Sequence, residues 1–122
     1  MEKNCQIFVD SLTSLSKNLK ACSDKCIEYW SPDQPPITII FGDLGCQIVD
    51  DFDKVEMHLN RQVFALIEDA MTSGGDSLST AVATGTLEAM AGRAARKQGL
   101  WQRISPTLGV SSRRHLEAWM AS

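Results

Sequence analysis

Apolar residues recur at spacings of three and four through most of this chain. Phe8, Leu12, Leu15, Leu19, Cys22 and Cys26 form the first such series, the seam of a helix that turns one face to a core. The spacing predicts a helix over 3–28, within an N-terminal helical segment 1–30, with Cys22 and Cys26 on its buried side. Asn and Ser residues on its other face weaken it, so packing has to hold it. The run from Tyr29 to Pro36 then breaks the pattern, because prolines at 32, 35 and 36 cannot continue a helix.

Ile37, Ile40, Phe41, Leu44, Ile48 and Phe52 predict a second helix over 36–51. Thr38-Ile39-Ile40-Phe41 alone has the composition of a strand, but the helical period continues beyond it. Gly42 and Gly45 are costly within a helix and mark a close approach by a neighbour. Val55, Leu59, Val63, Leu66, Ile67 and Met71 predict a third helix over 53–73, ended by Ser73-Gly74-Gly75-Asp76. A fourth helix over 77–98 is rich in Ala and Gly, which allows approach from several sides and suits a central position. A short helical stretch over 101–104 precedes a last helix over 111–121 that buries Leu116, Trp119 and Met120. The expectation is an all-α domain spanning 1–122, with about five helices in a compact bundle: an N-terminal segment 1–30, a middle segment 36–104 and a C-terminal helix 111–121. HEAT-like pairing of helices is compatible with the spacing, although no internal repeat stands out.

Charge changes this picture more than composition does. Between positions 28 and 88 there are eleven acidic residues and two basic ones; from 89 onward there are six basic residues and Glu117 alone. The net charge is −3, so the sorting is hidden in the total. No apolar run nears the ~20 residues of a membrane span, and the first residues do not read as a signal peptide. A cytoplasmic protein is expected, with its four cysteines reduced and packed.

Candidate chemistry is sparse. Cys22 and Cys26 are spaced for one helix face, not for the Cys-x-x-Cys of a zinc site. Asp50, Asp51 and Asp53 cluster, but the twelve-residue schedule of a calcium loop is not met. Phe41-Gly42-Asp43-Leu44-Gly45 lacks the spacing of a dinucleotide loop, and no nucleophile elbow or zincin motif occurs. No catalytic set, metal or cofactor is expected. One alternative stands: Leu108 to Trp119, with Arg113 and Arg114, has the look of the turn and recognition helix of a helix-turn-helix, although the acidic remainder would repel DNA.

The stretch Pro36-Ile37-Thr38-Ile39-Ile40-Phe41-Gly42-Asp43-Leu44-Gly45 resembles the opening of a group of small bacterial proteins. So do Phe64-Ala65-Leu66-Ile67-Glu68-Asp69-Ala70-Met71 and Ala83-Thr84-Gly85-Thr86-Leu87-Glu88-Ala89. The group is an uncharacterised domain family read as immunity proteins of interbacterial toxin systems; it commonly carries Phe or Ile where this chain has Thr86. The resemblance implies an inhibitor that binds a cognate toxin without catalysis. An acidic surface would steer and pair with a basic toxin, such as a nuclease domain. On that reading the polar faces of the second and third helices carry the contact: Asp43, Asp50, Asp51 and Asp53, then Glu56, Glu68 and Asp69. Tyr29 and Trp30, beside the proline break, are the candidate aromatic anchors.

Overall fold

Ser16 divides the first apolar series into two helices. In a computed structural model that describes all residues, Met1–Ser122, α1 spans Lys3–Leu15 and α2 spans Lys17–Trp30. Ser16 is extended (φ −149°, ψ 132°), and its hydroxyl oxygen accepts from the Leu19 amide at 3.3 Å, capping α2. The single helix expected over 3–28 is therefore a packed pair. Leu15 and Leu19 lie four apart, so the stripe runs across the break unchanged; Ser16 is the one local sign of it.

Beyond the proline turn come α3 (Ile37–Asp51) and α4 (Met57–Ser73). The second expected helix is found almost as drawn. The third starts four residues later than expected, because 52–56 forms a turn closed by Asn60. Its Nδ2 donates to the Phe52 carbonyl at 2.9 Å and satisfies an end group of α3. Asn60 is accordingly buried.

Gly75 (φ +82°), a conformation that only glycine adopts readily, turns the chain into α5 (Gly75–Ala81). A π-helical stretch, Val82–Leu87, and α6 (Glu88–Ala94) continue α5 as one rod. After Gly99 follow α7 (Leu100–Ile104), a 3-10 turn (Ser105–Thr107) and α8 (Val110–Ala121). With the α5–π–α6 rod counted once, there are seven helices and no strand. The all-helical class is as expected; the count of about five is low, because the first helix is split and the 101–104 stretch is a helix in its own right. None of them is long and apolar enough to cross a membrane.

The centre of the molecule is the contact between α3 and the π segment. A Cβ on Gly45 would lie 2.5 Å from the Thr86 carbonyl oxygen, and one on Gly85 would lie 2.7 Å from the Phe41 Cβ. These backbones meet only because the side chains are missing. Thr86 is fully buried there, and its hydroxyl donates to the Phe41 carbonyl at 3.0 Å, which meets the cost of burying a polar group. Phe8 stacks on Phe41 with ring centroids 5.5 Å apart, and Phe52 on Phe64 at 6.1 Å. On α8, Leu116 is buried, but Trp119 and Met120 face outward, against the expectation that all three would be covered.

Candidate functional site

Helices α2 and α3 are joined by the proline turn and run antiparallel. Asn18 at the start of α2 reaches Asp51 at the end of α3, while Tyr29 and Trp30 end α2 near Ile39. Between the two helices lies an open groove of about 600 Å³. Positions 43, 47 and 51 are four apart, which lines Asp43, Gln47 and Asp51 along one face of α3. Cys22 and Cys26 come from α2 on the same spacing, with Lys25 and Lys54 also on the lining.

Four of the residues expected at a partner surface meet in this groove: Tyr29, Trp30, Asp43 and Asp51. Tyr29 is 82 % exposed, Trp30 is half-buried against the core, and their rings meet edge to face, 5.9 Å apart at 73°. Asp43 is exposed and forms no ion pair in the chain. Asp51 faces inward instead of lying on an outer polar face; it is 6 % exposed, and its Oδ1 accepts from Asn18 Nδ2 at 3.2 Å and Gln47 Nε2 at 3.1 Å.

The remaining expected carboxylates are dispersed, and three of them already serve the fold. Asp50 takes Arg93 in a two-bonded pair, 2.9 Å on each arm. Asp53 takes Arg103 in the same way and Lys97 at 3.4 Å. The Arg103 hydrogen bonds, joined by Lys97, hold the Asp53 carboxyl below its ordinary value. Glu68 accepts from the amides of Ser111 and Ser112 at 2.8 and 3.0 Å and from the Ser112 hydroxyl at 2.8 Å. Glu56 and Asp69 are exposed and carry no ion pair. The acidic block thus has a partner inside the chain: the basic C-terminal third.

The thiols of the groove stay protonated at neutral pH. Burial pushes Cys22 and Cys26 up to about 11, and the charge of nearby Asp43 adds to the effect. The protonated thiol is neither the nucleophile nor the metal-binding form. All four cysteines are free; Cys26 is buried as expected, whereas Cys22 is half-exposed to the groove. No three His, Cys, Asp or Glu side chains converge as metal ligands would, and Asp50, Asp51 and Asp53 point to different partners.

At α8, the candidate DNA-reading helix, Glu68 fills the N-terminus where a phosphate would have to sit. Arg113 is half-buried and Arg114 exposed. His115 Nε2 lies 2.9 Å from Glu88, which adds a second tie from the helix to the body.

Sequence reasoning missed Asn18, Lys25, Ile39 and Lys54 as groove residues. The signal for the α2 side was present: positions 18, 22, 25 and 29 share a helix face, but of these only Cys22, as part of the core stripe, and Tyr29, as an anchor, were read from the sequence. Comparison with protein-family models, with curated proteins and with solved structures finds no match to this chain.

Proposed function

We propose that this chain is an immunity protein that binds and occludes a basic bacterial toxin domain, and does so without catalysis. The α2–α3 groove and its margins are the contact surface in this reading. The observation that carries it is Tyr29, a large aromatic left 82 % exposed on a groove whose lining also carries Asp43, a carboxylate with no ion pair. An exposed aromatic on a concave lining of mixed polar and apolar residues is the composition from which interface anchors are made. Groove thiols held in their protonated form accord with a surface that binds and does not react.

The roles of the carboxylates differ on this reading. Asp43, Glu56 and Asp69 retain unpaired charge and act on a basic partner through the field, raising its association rate at low salt. Asp50 and Asp53 are neutralised by their own arginines and contribute little to steering. Occlusion needs no chemistry; an interface of about 1,600 Å² suffices for nanomolar affinity when its centre is well packed.

The test is to identify the product of the reading frame next to this gene and to co-express its toxin domain with this chain. The two proteins should co-purify, and cells should survive the toxin only when this chain is present. Tyr29→Ala should weaken the complex by about 2 kcal/mol, while Asp50→Asn should leave affinity within about twofold. Failure to protect or to co-purify would end the immunity reading. Salt-sensitive binding of the chain to duplex DNA, lost in Arg113→Ala/Arg114→Ala, would replace it with the helix-turn-helix alternative.

A further inference from the structure

We propose that the α2–α3 groove receives two cationic side chains from one segment of the partner polypeptide, an arginine at Asp43 and a second cation at Asp51. This rests on the binding reading above and adds the chemistry of what binds.

Asp51 supplies the first reason. Its side chain is more than nine-tenths buried, and both of its hydrogen bonds go to Oδ1. Oδ2 accepts nothing, yet no buried side-chain oxygen in the chain is left sealed and unpartnered, so Oδ2 is not sealed; Asp51 lines the groove and also a small pocket with Ser16 and Val55. None of the ion pairs of the chain includes Asp51. A carboxylate this buried with no counter-charge is costly, and the amides of Asn18 and Gln47 hold it in place. A cation arriving through the groove would complete it.

The opposite end of the groove differs in kind. There Asp43 shares the lining with Tyr29 and Trp30, whose rings lie edge to face. A carboxylate and aromatic rings in one lining suit a guanidinium, which bonds the acid with its fork and lies flat on a ring. Asp43 and Asp51 are eight residues apart on α3, so the two charges are separated by about 12 Å along the helix axis. An extended chain rises about 3.3 Å per residue. Basic residues at positions i and i+4 of an extended segment therefore match the spacing.

Lys25 and Lys54 also line the groove, and neither has a carboxylate within ion-pair distance. They would repel cations placed beside them. The groove is thus selective for two separated charges with neutral residues between them, not for a polybasic run.

The experiment titrates the full-length, isotope-labelled chain with unstructured ten-residue peptides and follows its amide resonances. A peptide with arginines at i and i+4 should shift resonances of α2 and α3, at both ends of the groove. Asp43→Asn/Asp51→Asn should weaken this binding about tenfold or more, since Asn at 51 keeps the acceptor for Asn18 and Gln47 and so preserves the fold. A peptide with adjacent arginines, and one with six lysines, should bind at least about fivefold more weakly by the spacing argument. The proposal is overturned by absence of shifts at millimolar peptide, by unchanged affinity in the double variant, or by equal binding of the adjacent-arginine peptide. The same double variant is then assayed against the toxin. Cells protected as well by the variant as by the parent chain would remove the groove assignment and leave the immunity reading intact. Peptide binding without toxin neutralisation would do the reverse.

Discussion

Glu68 lies within α4, yet its carboxylate takes the Ser111 and Ser112 amides in the first turn of α8 and the Ser112 hydroxyl. Gly109 makes room for it, because a Cβ there would collide with the Glu68 carboxylate. Burial by itself would raise the Glu68 carboxyl, but the hydrogen bonds from Ser111 and Ser112 outweigh it and the value is lowered. A carboxyl with a depressed folded value stabilises fully above its unfolded value, 4.5, and loses that contribution as pH falls below it. Glu68→Ala should therefore cost about 2 kcal/mol in urea unfolding at pH 7. In the parent chain, α8 amides should lose exchange protection as pH falls below 4.5, before the core does. The thiols behave with the opposite sign. Cys22 and Cys26 are raised from 9.0 to about 11, so their contribution is complete below 9.0 and is lost as pH rises toward 11. Stability should fall across that alkaline range, and Cys22→Ala/Cys26→Ala should fall less steeply over the same range.

At the scale of elements, the junction of α3 with the π segment decides the fold. Two helices usually pack with axes 8–10 Å apart; Gly45 and Gly85 let these backbones come into direct contact, with Thr86 bonded across. Gly45→Ala should therefore destabilise by about 1–3 kcal/mol, the range for forcing atoms into a filled core, measured by urea unfolding. An equal substitution at Gly92, where nothing lies within 4 Å of the added Cβ, should be neutral or stabilising. This contrast separates a packing effect from a helix-propensity effect, because Ala favours the helix at both positions. The split at Ser16 is an element-scale feature of the same kind: a single capping hydroxyl separates α1 from α2 and lets them pack as a pair.

Across the whole molecule, the charge sorting of the sequence becomes intramolecular pairing. Asp50 and Asp53 on the α3–α4 side hold Arg93 and Arg103 from the C-terminal third, and Glu88 meets His115. These pairs are exposed or half-exposed, so each contributes modestly and is screened by salt. Their joint effect is to fix how the C-terminal third sits on the rest. Asp50→Arg should lower the urea midpoint, and adding Arg93→Asp should recover most of the loss at low salt. At about 1 M salt, where screening reaches ~3 Å, the single and double variants should converge. Reversing Asp50, Asp51 and Asp53 together, a direct test of an acidic docking face on sequence grounds, would instead disturb internal contacts. Asp43, Glu56 and Asp69 are the charges to reverse.

Helix positions and most of the core were legible in the chain itself, because a 3.6-residue period reports which face is covered wherever the covering surface is continuous. Phe8, Leu12, Ile40, Phe41, Leu44, Ile67 and Leu116 are all buried as their spacing implies. The close approach at Gly45 was also legible, since glycine within a helix is costly without a packing reason; at Gly42 an added Cβ would meet only ordinary contacts of 3.7 and 3.8 Å. Periodicity does not report where a helix breaks when the stripe runs on, so Ser16 was passed over. Nor does it report what lies across a surface: Asp50, Asp51, Asp53 and Glu68 look alike in sequence, and only their three-dimensional neighbours separate ion pair, buried acceptor and helix cap. The groove was out of reach for the same reason. Its residues come from α2, from α3 and from the turn after it, between positions 18 and 54, and a concave surface exists only once the two helices are set side by side.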